Sequence, residues 1–270
     1  MCIRDSIQAK KDQLGVKGAF TSAGFDSSSD WRFKTHLANL PLYYEFKDDN
    51  VTKQPETIKG TYLPEYKNIF DLYLKDSTTE PTQLSSKTGD DSTSEFSLGE
   101  AVFYQNGSWE WAALTGTGDG QYGLDNLSMI PFYCGVAGEE KAGLNCGTEN
   151  CWAVNAKASA EDIQATLDFM YWLVTDAEVS RMLVDEFAVM PYKQAAESTC
   201  GFLADANAYA AEGNYVMPWV TNFQPNVDAY REAIVAAMNQ YDNDPTDANW
   251  EQVKTAFVDG WAVQYAAANG

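Results

Sequence analysis

Ala101-Val-Phe-Tyr-Gln-Asn-Gly-Ser-Trp-Glu-Trp-Ala-Ala-Leu114 reads as a strand, a turn and the start of a helix. The apolar run Ala101–Tyr104 has the length of a buried strand, and Asn106-Gly107 is a strong turn signal. Ser108 is a good N-cap, because its hydroxyl can accept from a backbone N–H that the first helical turn leaves unpaired, so the spacing predicts a helix to about Leu114. Trp109 then occupies the first helical position, where an indole beside unpaired N–H groups makes an amphipathic surface suited to a polyhydroxylated ligand. Trp111, two residues on, points to roughly the opposite side. One indole is therefore expected at a cleft and the other in a core, with Trp109 the ligand candidate; the alternative is that both are core.

Outward from this segment, Gly15–Phe20 is a predicted strand and Trp31–Phe46 a helical stretch in which Pro41 should start a new turn. A helix over about Pro64–Lys75 buries Ile69, Phe70, Tyr73 and Leu74. The Ser/Thr/Asp-rich 76–92 segment reads as surface connection, followed by a short helix that Gly99 ends with a left-handed cap. Leu127–Tyr133 and Cys151–Asn155 are strand candidates, and Gly135–Gly147 a flexible crossover. Ser159 with Asp162 opens a helix whose Ile163, Leu167, Met170 and Val174 share a face. Thr175 with Glu178 reads as a second capping box, for a helix carrying Val179, Met182 and Leu183. Beyond a link near Cys200, helices are expected to end at Gly213, to span about 227–238, and to run from about Asp247 onward with Trp250, Val253, Phe257 and Trp261 in one stripe.

Composition bounds the function. With 45% hydrophobic and 13% aromatic residues in 270, the chain can bury one large core or two smaller ones, which excludes disorder. A net charge of −21 argues against nucleic acid and against anionic lipid, and favours a neutral or weakly cationic ligand. No apolar run approaches membrane-spanning length.

Five cysteines, Cys2, Cys134, Cys146, Cys151 and Cys200, form no C-x-x-C pair, so zinc is not expected. Buried free thiols are the primary expectation, and a disulfide among Cys134, Cys146 and Cys151 the alternative in an oxidising compartment. The N-x-S/T triplets at Asn50, Asn106 and Asn126 are assigned no role. Gly118–Gly123 matches a dinucleotide fingerprint formally, but it follows a helix rather than a strand. His36, the single histidine, has no G-x-S-x-G elbow for company and reads as structural. Asp242, Asp244 and Asp247 lack the glycine and spacing of a calcium loop and read as a solvated helix entry. No metal or cofactor is expected.

The segments Asp30–Glu45, Leu98–Trp111, Gly147–Ser159 with the helix after it, and Val253–Trp261, by their order and spacing along the chain, carry a resemblance that covers nearly all of it from about Lys10 onward. The chain resembles the extracellular solute-binding proteins of carbohydrate ABC transporters, the maltose-binding-protein-like group. That resemblance implies an α/β, type II periplasmic-binding-protein-like fold of two lobes. It also makes the chain a C-terminal fragment, a nearly complete second lobe plus a partial first lobe, with residues 1–6 not native. The implied division is 7–146 as the first part of the second lobe, 147–199 as a remnant of the first lobe with its crossovers, and 200–270 as closing helices of the second lobe. Without the rest of its lobe, the remnant is expected to expose the apolar face of its first helix.

Carried over position by position, the resemblance implies ligand contacts from Asp30 and Trp31, from Asn106, Ser108 and Trp109, from the crossover residues Thr148, Glu149 and Asn150, and from Trp219. The implied function is non-enzymatic: capture of a mono- or oligosaccharide between two lobes and delivery to the permease. The protein would be extracytoplasmic, lipid-anchored at the outer face of the cytoplasmic membrane, and monomeric when complete. The alternative is a glycoside hydrolase or other carbohydrate-active protein, for which Glu110 and Glu149 offer a carboxylate pair. A β-sandwich binding module is disfavoured by the dominant helical periodicity.

Overall fold

The computed structural model describes residues 3–22, 24–115, 126–147, 151–187 and 192–270. Cys2, the Gly118–Gly123 loop, and Thr148, Glu149 and Asn150 lie outside the described residues. The elements in chain order are α1 (Ile3–Ala9), α2 (Lys11–Leu14), β1 (Gly18–Phe20), a π-helical stretch Arg32–Leu37 continuing into α3 (Ala38–Asp48), α4 (Leu63–Asp76), α5 (Gly89–Ser97), β2 (Ala101–Phe103), α6 (Trp111–Thr115), β3 (Ala142–Asn145), α7 (Ala160–Thr175), α8 (Ala177–Phe187), α9 (Gly201–Ala211), β4 (Tyr215–Met217), α10 (Val227–Asn243) and α11 (Asp247–Asn269). Two compact units result: Met1–Asn106, Pro131–Asn145 and Tyr215–Gly270 form one, and Gly107–Ile130 with Cys146–Asn214 the other. Residues 107–130, 146 and 200–214, expected with the second lobe, group with the second unit.

In the first unit β1 pairs in parallel with β2, Gly18 opposite Ala101 and Phe20 opposite Phe103, and β3 pairs in parallel with β4, Ala142 opposite Tyr215 and Asn145 opposite Met217. Parallel neighbours need long crossovers, and α3 to α5 supply the one between β1 and β2. A bridge from Phe20 to Ser77 brings backbone against Gly18, where a Cβ would lie 2.5 Å from the Ser77 carbonyl carbon. The core is built from Phe33, Leu37 and Leu40, from Tyr66, Ile69, Phe70 and Tyr73 of α4, from Tyr230, Ile234 and Met238 of α10, and from the predicted stripe Trp250, Val253, Phe257 and Trp261 of α11. Three of their polar tips are paired: the Tyr66 hydroxyl donates to Phe33 O at 2.6 Å, Tyr230 to Phe257 O at 2.7 Å, and the Trp261 indole N–H to Pro55 O at 2.8 Å, whereas the buried Tyr73 hydroxyl has no partner among the described residues.

Several local expectations change here. Pro41 does not start a new helix but lies inside the continuous helical stretch, where it withholds one backbone donor from the preceding turn, and those preceding turns are π-wound rather than broken. Within the supposed surface connection 76–92, Pro81–Ser86 winds as a 3-10 turn that buries Leu84. Buried Glu95 holds this region by accepting from Ser22 N at 2.7 Å, Ser22 Oγ at 2.9 Å and Thr78 Oγ1 at 2.7 Å. The supposed crossover 135–147 contains β3, organised by Glu139, whose carboxylate accepts from Cys134 N at 2.8 Å and Gly135 N at 2.7 Å.

Asp242 is not a solvated helix entry. Because α10 continues past the predicted end at 238, Asp242 sits one turn after Met238 on the buried face, fully enclosed. Among the described residues neither of its oxygens has a hydrogen-bond partner, and burial pushes its carboxyl up to about 7.

In the second unit Gly107, not Ser108, holds the cap position, and Ser108–Glu110 forms a 3-10 turn leading into α6. Trp111 packs edge-on against Phe202 at 4.9 Å between ring centroids. At Gly201 an added Cβ would lie 2.5 Å from the Trp111 ring, so glycine lets α9 begin against the indole. Ser159 caps α7 as predicted, accepting from Asp162 N at 3.1 Å. No residue of α7 is buried, and Leu167, Phe169, Tyr171 and Trp172 are exposed.

The second capping box is absent. Asp176 caps α8 by accepting from Glu178 N and Val179 N at 3.0 Å each, while the Thr175 hydroxyl turns back to Tyr171 O at 2.7 Å. Val179 and Val184 of α8 are buried and Met182 is exposed. Neither Leu127–Tyr133 nor Cys151–Asn155 is a strand, since among the described residues no neighbouring strand completes a ladder; the Met129 N–H donates instead to the Asp205 carboxylate at 2.7 Å. Cys134 and Cys200 are buried, Cys146 and Cys151 exposed, and all four are free thiols.

Candidate functional site

Parallel α/β sheets place ligand sites outside the carboxyl ends of their strands. In the first unit the chain leaves β2 at Tyr104, Gln105 and Asn106, leaves β4 at Pro218 and Trp219, and ends β3 at Asn145. The segment that follows β1 leads to Asp30 and Trp31. Trp31 and Trp219 are both half-buried, and His36 links them. Its imidazole stacks on Trp219 with centroids 4.6 Å apart at 25° and meets Trp31 edge-on at 4.5 Å and 64°.

Arg32 ties this pair to the exit of β2. Its guanidinium lies 4.3 Å from the centroid of the Trp31 ring and 6.0 Å from that of Tyr104, and its Nε donates to Gln105 O at 3.2 Å. The Tyr104 hydroxyl meets Thr93 Oγ1 at 2.7 Å and accepts from the Asn106 amide. Asp30, largely buried, pairs with Lys34 at 2.7 Å. Burial pushes the His36 imidazole down to about 4, with the nearby Arg32 charge adding to the effect, so the ring is neutral at physiological pH.

Of the expected ligand residues, Asp30, Trp31, Asn106 and Trp219 thus belong to one connected patch in the first unit. Ser108 and Trp109 lie in the second unit. There Trp109 is 51% exposed and Trp111 8%, so one indole is open and the other buried, although the two do not point to opposite sides. Both indoles line a cavity of about 250 Å³ with Val184, Asp185, Glu186 and Cys200. Among the described residues no cluster of three or more His, Cys, Asp or Glu side chains is placed to hold a metal ion, and no helix is long and apolar enough to cross a membrane.

His36, Arg32, Tyr104 and Gln105 were not expected at the site. A five-residue separation puts Trp31 and His36 on different faces of an α-helix, but about one turn apart where the winding is π. The signal lay in Pro41, which constrains the turns before it, although it does not specify a π-helix.

The profile of the bacterial extracellular solute-binding proteins matches residues 5–199. The chain belongs to that family. As an extracellular solute-binding protein it takes a small-molecule ligand, fills the substrate-binding role of an ABC importer and acts outside the cytoplasm, in a family that is generally non-enzymatic. The match includes Trp31, Tyr104, Asn106 and Trp109 of this solute-binding protein and ends before Trp219. No curated protein and no solved structure matches the chain significantly.

Proposed function

We propose that the solute is a mono- or oligosaccharide, bound without chemical change and passed to the permease of a carbohydrate ABC importer. The carrying observation is the pair Trp31 and Trp219, half-buried around His36 at the carboxyl ends of parallel strands. Indole faces suit the C–H faces of a pyranose ring, and the amide of Asn106, the carboxylate of Asp30 and the hydroxyl of Tyr104 supply polar partners for its hydroxyls. A net charge of −21 disfavours anionic solutes. Capture between two lobes, with Ser108, Trp109, Thr148, Glu149 and Asn150 contributing, and a lipid anchor at the outer face of the cytoplasmic membrane complete the reading by resemblance.

Calorimetric titration against a panel of mono- and oligosaccharides, with chromatography of the sugar afterwards, tests this. Binding with intact sugar recovered is the expected result. Release of shorter sugars at enzymatic rates would favour a glycoside hydrolase, and heat from another solute class alone would rule out the carbohydrate.

A further inference from the structure

We propose that His36 and Asn39 form a clamp that positions Trp219 for its ligand, His36 fixing the ring and Asn39 the backbone on either side of it. The two lie three residues apart, on one side of the helical stretch that starts at Trp31. The imidazole of His36 covers one face of the Trp219 ring at 4.6 Å, and the opposite face is the one this proposal assigns to the ligand.

Asn39 is fully buried, and its side chain is used at both ends. Its Nδ2 donates to Pro218 O at 3.0 Å and its Oδ1 accepts from Thr221 N at 3.2 Å, so the carbonyl before Trp219 and an amide after it are both held. The same Nδ2 lies 3.4 Å from Asn145 Oδ1, at the last residue of β3. Farther along, Gln224 Nε2 donates to Lys34 O at 3.0 Å. The segment 218–224 is therefore pinned to the Trp31–Asp48 helical stretch by side chains along its length, with Trp219 between two Asn39 contacts.

An indole whose rotamer and backbone are already fixed loses little freedom when a ligand stacks on it, so the clamp raises affinity through preorganisation without touching the ligand. His36 and Asn39 are in this sense positioning residues. The ligand half of the argument rests on the sugar reading; the positioning half does not.

The test uses the chain labelled with 5-fluorotryptophan, the Trp219 fluorine signal being assigned by its loss in Trp219→Phe. In the ligand-free protein, His36→Ala and Asn39→Ala should broaden that signal or move it toward the solvent-exposed value, while His36→Phe, which keeps a stacking ring, should leave it sharp. Affinity for the sugar should fall about tenfold in the two alanine variants and stay near wild type in His36→Phe. An unchanged signal in His36→Ala overturns the clamp, and this half-buried site decides the matter even where Asn39→Ala does not fold. Equal sugar affinity in wild type, His36→Ala and His36→Phe overturns it as well. A wild-type protein that binds no sugar overturns the ligand reading instead, and the ligand-free signal still judges the clamp.

Discussion

Replacing Asp242 with asparagine should stabilise the protein, by roughly 2 kcal/mol at pH 5 and roughly 4 kcal/mol at pH 8. The carboxyl is fully buried with both oxygens unpartnered among the described residues, and burial raises it from 3.8 to about 7. A carboxyl raised in the folded state holds its proton more tightly there than in the unfolded chain. Its contribution is thus intact below about pH 4, declines as the unfolded carboxyl ionises, and reaches its full cost once pH passes the folded value near 7. Asparagine has no charge to lose, so the difference between variant and parent isolates this residue from the repulsion of a chain carrying −21. Urea denaturation at the two pH values measures it, and a pH-independent difference would show that Asp242 stays ionised or reaches solvent.

The paired indoles give the second large effect. Trp111→Ala should cost about 3 to 5 kcal/mol of stability, because Trp111 is buried against Phe202 and the start of α9, and its removal leaves a cavity that Gly201 cannot fill. Trp109→Ala removes a half-exposed ring and should change stability by no more than about 0.5 kcal/mol. If Trp109 stacks on the ligand, its loss should weaken binding by about 2 kcal/mol, roughly 30-fold. Melting temperatures and calorimetric affinities of the two variants separate these outcomes, and similar behaviour in both would refute the division into one open and one buried indole.

What the sequence made legible follows from how local each signal is. The α4 face, the Gly99 and Gly213 caps and the α11 stripe rest on periodicity or on one residue's conformational freedom, and each is present, while the strand expected over Gly15–Phe20 forms over Gly18–Phe20 only, Gly15 capping α2 instead. Strands that need a distant partner were harder. Leu127–Tyr133 and Cys151–Asn155 have apolar side chains but no ladder to join among the described residues, whereas β3 hides in a glycine-rich segment because Tyr215–Met217 pairs with it from far along the chain. Capping was ambiguous where two donors compete, as at Thr175 and Asp176.

At the site, the aromatic residues could be named individually, but their grouping could not. Trp31 and Trp219 are brought together only by the fold, through a histidine whose orientation depends on a π-wound stretch that no periodicity rule anticipates. The role of Arg32 was hidden for the same reason, since its two aromatic partners lie before and after a long crossover.

The central claim is that a sugar stacks on Trp31 and Trp219. It is tested most directly by titrating the 5-fluorotryptophan-labelled protein with a sugar that calorimetry has shown to bind. The fluorine signals of Trp31 and Trp219 are expected to shift in proportion to occupancy while those of the core residues Trp250 and Trp261 stay fixed. Saturation with sugar that leaves both Trp31 and Trp219 unmoved would contradict it.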